Sequence, residues 1–528
     1  MVVNSVLYYL WRNAKECPEK TALSDEQTSI TYAEYKKAAV KIASGVIEKF
    51  SSGQIKRPVA VLIDRNVLSV LAFMGIACSG NFYVPLDPSM PEERRNTILK
   101  ELSPLGVLDA RDEGKELQTA GYPCIPVKEL LQEEILPEKE TQVETICSQI
   151  IDTDPLYSIF TSGSTGVPKG VLICHRSVVD LVRAFEDAFG FDETSVFGNQ
   201  APFDFDVSVK DLYNALYCRG RVEIIPKKKF VMPKLLVEYL AEKEINTIIW
   251  AVSAVRIVSD FRTLDEVQTE KPLSLRYVMF SGEVMPVKAL NYWMEHYPEV
   301  TYVNLYGPTE ITCNCTYYVI DRKYEPGDML PVGKAFKNTR VFLLDGQGNP
   351  ILEKDKVGEI CVEGTGLAAG YWNNPQKTAE CFVSCPGSTE YENKIYRTGD
   401  MGYYDEEGKL YFAARADSQI KHMGHRIELG EIEAALGGIG FMRAAICFYD
   451  QQDEKIICYY QAEGAEDGEE LKDLRKQITL ELQKKLPKYM WPNRYIRLAE
   501  LPMSSHGKID RVKLREWYRN GAPGPGSI

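Results

Sequence analysis

Apolar positions along the chain follow two periods. PVAVLI (Pro58–Ile63), NTIIWAV (Asn246–Val252) and LRYVMF (Leu275–Phe280) are short, uninterrupted β-rich runs and predict buried strands. LYSIF at Leu156–Phe160 is a further apolar run. Segments of helical period lie among them, such as ITYAEYKKAAVKIASGVIEKF and PKLLVEYLAEKE. Strand and helix patterns that alternate in this way predict an α/β fold of layered, largely parallel sheets. From Val341 the texture changes to VFLLDGQGNPI and VGEICVEG, shorter strands joined by Gly and Asn turns, which predict a compact β unit. RADSQIKHMGHRIELGEIEAAL then reads as a turn-prone, glycine-containing start followed by a helix on which Ile427, Ile432 and Leu436 share one face. The C-terminal remainder of the chain has its own strand–helix alternation and enough apolar residues for a small α+β core. The expected organisation is therefore an N-terminal core over 1–416, a C-terminal domain over 417–518 with the boundary near Asp417, and a disordered tail over 519–528 containing GAPGPGS.

Length fits this division, because 528 residues exceed what one core can hold. The hydrophobic fraction of 45% with 26% charged residues is that of a globular protein and excludes a disordered or fibrous reading. A formal charge of −13 argues against non-specific binding of nucleic acid, which needs a basic footprint. The start, MVVNSVLYYLWRNAKECPEK, has no basic leader, and Arg12 and Asn13 break its apolar run, so neither a signal peptide nor a membrane insertion is expected there. The 13 cysteines are scattered without a repeating framework, as in a protein kept reduced in the cytoplasm. Neither Cys313/Cys315 nor Cys381/Cys385 has a second pair to complete a zinc site, so no structural metal is expected.

The stretch TSGSTGVPKGV, Thr161 to Val171, has the composition of a loop that wraps phosphate: Gly lets backbone N–H groups approach an anion, and Ser, Thr and Lys donate to it. It is not a Walker loop, since Lys169 stands three residues after Gly166 and precedes Gly170. In NLYGPTEIT, Asn304 to Thr312, a β-type run ends in a Gly-Pro turn offering Thr309 and Glu310, a hydroxyl and a carboxylate suited to Mg²⁺ beside phosphates or simply to the turn itself. Asp400 follows Thr398-Gly399 in a tight turn, where an acid suits ribose hydroxyls or a hairpin equally well. Lys508 in LPMSSHGKID would on its own be a solvated lysine. In PFDFDVSVKDLY, Asp204 and Asp206 punctuate an aromatic run, and an acid held there invites a cation from the protein or from a ligand.

Together these segments resemble the adenylate-forming superfamily. The resemblance rests on ITYAEY, YVPLDPSMPEERR, TSGSTGVPKG, FDFDVSVKDLY, NLYGPTE, GEICVEGTGLAAGYWNNP, YRTGD, QIKHMGHRIELGEIE and LPMSSHGKID, in order, from about Ile30 to about Leu514. Within the superfamily the chain is similar to amino-acid adenylation domains of nonribosomal peptide synthesis and to D-alanine:carrier-protein ligases. The resemblance implies an ATP-dependent ligase that forms an aminoacyl-AMP and pyrophosphate and then loads a phosphopantetheine thiol. By position, Thr161, Ser162, Ser164, Thr165 and Lys169 would contact phosphates, Glu310 would hold Mg²⁺, Thr309 would meet the α-phosphate and Tyr306 the adenine. Asp400 and Arg415 would face the ribose, and Lys508 would bridge the reacting carboxylate and the α-phosphate. Asp417 resembles the hinge of a mobile C-terminal domain, and Lys421, Gly424 and Arg426 match the segment used in thiol loading. Ala414 departs from the family, which usually has Gly there.

Asp206 aligns with the aspartate that meets a substrate's α-ammonium, and the side-chain pocket implied by the resemblance comprises Val207, Lys210, Trp250, Met279, Ser281, Leu305, Cys313 and Asn314. SGEVMP at Ser281–Pro286 favours D-alanine as one candidate, while Lys210 and Trp250 are unusual neighbours for so small a substrate. Lys210 either answers an acidic or polar side chain or is a snorkelling lysine paired with Asp211 or another acid. No carrier-like segment follows Lys508, so a separate carrier protein is expected as partner of a monomeric enzyme. The alternatives are an acyl- or aryl-CoA synthetase and a degenerate nucleotide-binding scaffold, the latter disfavoured by the presence of Lys169, Glu310, Asp400 and Lys508.

Overall fold

The computed structural model describes residues 3–51, 53–114, 117–163, 167–267, 269, 271–325, 327–386, 393–416, 419–462, 468–502 and 509–521. Ser164, Thr165, Asp417 and Lys508 therefore lie outside the described residues, as do residues 522–528 of the tail. The chain forms two compact units, one of 1–88, 101–160 and 170–416, the other of 89–100, 161–169 and 417–528. No helix among the described residues is long and apolar enough to cross a membrane.

Among the described residues the first unit is built on three sheets. A nine-stranded sheet contains β1 (Val196–Asn199), β2 (Thr247–Ala251), β3 (Tyr277–Ser281) and β4 (Thr301–Tyr306), which pair in parallel in the order β4, β3, β2, β1. Arg221–Ile224 continues it in parallel beyond β1, and antiparallel strands occur toward both edges. The apolar runs around Pro58 and Leu156 enter a seven-stranded, mainly parallel sheet as Pro58–Leu62 and Pro155–Thr161. The Gly- and Asn-punctuated region after Val341 forms an antiparallel sheet that includes Thr339–Leu344, Gly358–Gly364, Lys394–Tyr404 and Leu410–Arg415.

Helix α1 (Val207–Cys218) follows β1 and contributes Val209, Leu212 and Tyr213 to the same core as Ile249 of β2 and Met279 of β3. The other face of these strands turns Ile248, Trp250, Val278 and Phe280 into a second core, with Leu236 and Leu240 from the helix Pro233–Glu242. Strand side chains alternate between faces, so one run of apolar residues supplies two cores.

In the second unit a three-stranded sheet, Met442–Asp450, Lys455–Ala462 and Arg494–Arg497, packs with the helix Leu429–Gly437. The segment before that helix differs from the sequence expectation. Gln419–His422 and His425–Glu428 form a hairpin whose two loop residues, Met423 and Gly424, have φ of 53° and 80°. Two consecutive positive φ values make the tight hairpin turn that matches strand twist, which glycine enables. Ile427 is thus a strand residue, yet it shares one buried cluster with Ile432 and Leu436.

Candidate active site

The end of β4 shows how local sequence builds the site. After Tyr306 the chain turns at Gly307-Pro308, makes a single 3₁₀ turn over Thr309–Ile311 and doubles back, so that the Cys315 N–H donates to the Tyr306 carbonyl at 2.8 Å. Gly307 is required by this return: a Cβ there would stand 2.6 Å from Asn314 Cα and 2.7 Å from the Cys313 carbonyl oxygen. Thr312 and Cys313 take φ of 59° and 79°, a strained left-handed pair that sets Cys313 and Asn314 beside the sheet end. Glu310 is fully buried, and its Oε1 accepts a hydrogen bond from the Tyr371 hydroxyl at 2.8 Å. Tyr371 belongs to the GYWNNP segment, which carried the resemblance, but its support of Glu310 was not legible there.

Asp400 and Arg415 face each other across antiparallel strands. Arg415 Nη1 donates to Asp400 Oδ1 and the Tyr306 hydroxyl to Asp400 Oδ2, both at 2.6 Å. The Asp400 N–H is met by Thr398 Oγ1 at 2.9 Å, and Thr398 in turn donates to the Ile360 carbonyl. Burial and then the Asp400 charge push the Tyr306 phenol well above its ordinary range, so it stays a donor. Three residues named from sequence, Tyr306, Asp400 and Arg415, are therefore one hydrogen-bonded cluster. Each carboxylate oxygen keeps further lone-pair capacity, which suits it to vicinal hydroxyls.

Several of the residues expected around the substrate side chain lie together on one face of the nine-stranded sheet. Met279 and Ser281 of β3 and Leu305 of β4 share that face, since Ser281 and Leu305 are register partners. Asp206 immediately precedes α1, Val207 is its first residue, and Lys210 lies one turn on from Asp206. Lys210 is fully buried and donates from Nζ to Asn314 Oδ1 at 2.9 Å and Ser281 Oγ at 3.2 Å. Burial, then the Asp206 charge, raises the Cys313 thiol while Lys210 opposes this, and Asp206 likewise raises the buried Tyr157 after burial. Asp206, Cys313, Lys210 and Tyr157 are electrostatic neighbours. Trp250, by contrast, pairs in register with Phe280 and faces the opposite core, where its Nε1 donates to the Gly198 carbonyl at 2.7 Å. The residue on the Ser281 face at this end of β2 is Ala251, the register partner of Ser281. Trp250 is a core residue and not a pocket wall.

Neighbouring polar groups have other fates. Burial, reinforced by Asp87, pushes the Asp204 carboxyl up to about 7. Asp211 is also held at about 7 by burial, with its Oδ2 accepting from Asn199 Nδ2 at 3.0 Å.

In the second unit, Ser162 donates to the Arg426 carbonyl at 2.7 Å and accepts from the Glu428 N–H at 3.2 Å. Thr161 Oγ1 is buried without a hydrogen-bond partner, a group suited to donate to a phosphate oxygen. Lys169 begins the strand Lys169–Cys174. Lys421 pairs in register with Arg426, whose Nε donates to Gln419 Oε1 at 2.6 Å, and Gly424 occupies the hairpin turn.

A layered α/β architecture with Lys210, Ser281 and Asn314 grouped at the carboxyl ends of parallel strands and a buried Asp–Arg–Tyr cluster agrees with a nucleotide-using, adenylate-forming enzyme. The chain belongs to the AMP-binding enzyme family, whose model matches residues 10–372. It is 32% identical to Syringomycin synthase SyrB1 of Pseudomonas syringae pv. syringae, over 95% of this chain and 80% of that protein. To a D-alanine--D-alanyl carrier protein ligase of Listeria monocytogenes serotype 4a (strain HCC23) it is 30% identical, over 95% of this chain and 96% of that one. The solved structure of holo-PA1221, an NRPS protein containing adenylation and PCP domains bound to a vinylsulfonamide inhibitor, superposes with a TM-score of 0.81 at 25% identity, covering 97% of this chain and 84% of that chain. Other curated relatives are far longer, and this chain spans 44% of one and 6% to 19% of others.

Proposed function

We propose that this protein activates an amino acid as its aminoacyl-AMP and then passes the acyl group to the phosphopantetheine thiol of a carrier protein. In the first step a substrate carboxylate oxygen attacks the α-phosphorus of ATP and the bond to the β-phosphate breaks, releasing pyrophosphate. In the second, the carrier's sulfur, its proton lost, attacks the acyl carbon and AMP leaves. Both steps demand positioning and charge compensation more than covalent help from the protein.

The observation that carries the amino-acid reading is Asp206, a carboxylate at the first turn of α1 whose charge is felt by Tyr157 and Cys313 within the pocket. An anion so placed selects a substrate ammonium. Thr161, Ser162, Ser164, Thr165 and Lys169 serve the departing phosphates, and the unpartnered Thr161 hydroxyl supports that role. Asp400 and Arg415 receive the ribose beside Tyr306, Thr309 lies toward the α-phosphate, and Lys508 compensates charge at the reacting centre. Glu310 offers one hard, buried carboxylate, steadied by Tyr371, which fits Mg²⁺ with phosphate and water oxygens completing its shell. The cation would neutralise negative charge on the phosphates. Asp417 is the hinge, and Lys421, Gly424 and Arg426 serve thiol loading. The similarity to a carrier protein ligase and to an adenylation–PCP structure supports the carrier as acceptor. All 13 cysteines are free thiols, which supports a reducing, cytoplasmic setting.

The test is pyrophosphate exchange with amino acids and their des-amino analogues, on the wild type and on Asp206→Asn. Asp206→Asn should shrink the preference for the amino acid by well over tenfold, since breaking a buried ion pair costs about 3–5 kcal/mol. Unchanged preference, or efficient transfer of a des-amino acid to free coenzyme A, would replace this reading with an acyl- or aryl-CoA synthetase.

A further inference from the structure

Cys447 and Cys458 stand directly opposite each other on neighbouring antiparallel strands of the second unit, Met442–Asp450 and Lys455–Ala462. Both are fully buried in one core cluster. How near two opposed residues come depends on where their backbone groups point. The Cys447 N–H donates to Glu433 Oε1 at 2.7 Å and its carbonyl accepts from Arg511 Nη1 at 3.0 Å, so its backbone is turned away from the partner strand. On that strand the Ile456 and Tyr460 carbonyls accept from the Asn493 and Leu498 N–H groups at 2.8 and 2.9 Å, on the side of the third strand, Arg494–Arg497. Cys458 lies midway between them and by alternation faces the same way.

The two cysteines are therefore a non-hydrogen-bonded pair, the closer of the two antiparallel kinds, in which Cα atoms stand about 4.5 Å apart. A disulfide spans roughly 4.4–6.8 Å between Cα atoms, so the backbone need not move far to admit one. The two thiols already hydrogen-bond each other. They lie three residue pairs in from the loop 451–454, behind Phe448–Ile457, Tyr449–Ile456 and Asp450–Lys455. Neither sulfur meets solvent while this hairpin is closed, and the Cys458 thiol, then burial, raises the Cys447 thiol well above its ordinary range. Oxidation thus waits on local opening of the hairpin end, and re-pairing of the strands brings the second sulfur onto the first.

We propose that Cys447 and Cys458 are a reversible redox site, joined into a disulfide by exchange with a small-molecule disulfide. One cysteine, its proton lost, attacks a sulfur of the oxidant, whose S–S bond breaks and releases a thiol. The other cysteine, also deprotonated, attacks the protein sulfur of that mixed disulfide. The bond between the two cysteines forms, a second small thiol leaves, and the two protons end on the two released thiols. In a reducing setting both cysteines remain thiols. The cross-link ties the strands where Glu433 of the helix Leu429–Gly437 and Arg511 of the helix Arg511–Arg519 grip the Cys447 backbone, Arg511 Nη2 also meeting Glu433 Oε2 at 2.7 Å. The site is independent of which acid the enzyme activates.

The experiment equilibrates the full chain in glutathione buffers of graded oxidised-to-reduced ratio, blocks remaining thiols with an alkylating reagent, then counts thiols and maps peptides. Two of the 13 thiols should be lost, one peptide pair should link Cys447 to Cys458, and dithiothreitol should return both as thiols. The oxidised protein should unfold at higher urea than the reduced one, because the cross-link restricts the unfolded chain. Cys458→Ala should remove the linked peptide pair and, kept reduced, retain wild-type pyrophosphate exchange. Cys458→Val, which fills more of the vacated space, takes its place if a melting curve shows the alanine variant unfolded. The proposal is overturned if both cysteines stay thiols in the most oxidising buffer, if the bond maps instead to Cys78 and Cys147, whose thiols also meet, or if the oxidised protein unfolds before the reduced one.

Discussion

The two faces of the β2–β3–β4 block are built from alternate residues of the same strands, yet they behave as different materials. On one face Trp250, Phe280 and Tyr302 join a core with Trp293, and their polar hydrogens are met: Trp250 by the Gly198 carbonyl, Trp293 by the Val255 carbonyl at 3.1 Å, and the Tyr302 hydroxyl by the Trp293 carbonyl at 2.8 Å. On the other face Met279 and Leu305 are also buried, but Ser281, Asn314 and Lys210 gather at the strand ends with an amide nitrogen left over. A satisfied apolar face supplies stability. An unsatisfied polar one stores recognition, because its unmet groups gain most when a ligand arrives.

Trp250 is where this contrast breaks most directly. Trp250→Ala should cost about 3–5 kcal/mol of folding stability through the cavity it leaves, measured by urea unfolding. Exchange assayed where the variant is still folded should retain the wild-type ranking of amino acids. A changed ranking with little loss of stability would put Trp250 back in the pocket wall.

Asp211 tests the seam between the faces through pH. Burial raises its carboxyl from 3.8 to about 7, opposed first by the Asn199 hydrogen bond and then by the Lys210 and Arg65 charges. Between those two values the unfolded chain releases a proton that the folded protein keeps. The stability associated with the neutral acid is therefore full below pH 3.8 and is lost as pH rises through about 7. Relative to Asp211→Asn, the wild type should lose up to about 1.4 kcal/mol per pH unit across that window and run parallel to it above. A difference that stays flat from acid to neutral pH would show Asp211 ionised in the fold.

The smallest effect has the opposite sign. Lys210→Met should stabilise the protein without substrate by about 1–2 kcal/mol, because it removes a buried charge whose hydrogen bonds go to neutral oxygens, less what Ser281 and Asn314 lose. Thermal unfolding would record an upward shift, and an equal destabilisation would show that Lys210 holds the fold together. One substitution on each face, with opposite consequences, would establish the contrast.

Much of the layout was readable from residue order. PVAVLI, NTIIWAV and LRYVMF are strands as the apolar runs implied, and the Gly- and Asn-punctuated region is an antiparallel sheet. The cluster of Tyr306, Asp400 and Arg415 joins residues named by resemblance from separate stretches of the chain. The segment before Leu429 was less legible, since His422-Met423-Gly424-His425 closes a hairpin and helix begins only afterwards. Turn residues there signalled a break, but the alternation that would mark two short strands was too brief to outweigh the helical spacing of Ile432 and Leu436.

Sequence alone determined that TIIWA is a strand, that Asp206 and Lys210 stand one turn apart if helical, and that a phosphate-type loop precedes them. It did not determine which side of the strand meets the substrate. Every residue of TIIWA can be buried, so neither face is marked by polarity, and a shift of one residue exchanges them. Only the packing of α1 against one face of β2 and β3 decided that Ala251 and Ser281 lie on the face that α1 covers while Trp250 belongs to the opposite core. The same packing carried Lys210 inside. Whether a lysine's charge reaches water depends on what covers its stem, and that cover comes from strands and a turn 71 to 104 residues away in the chain.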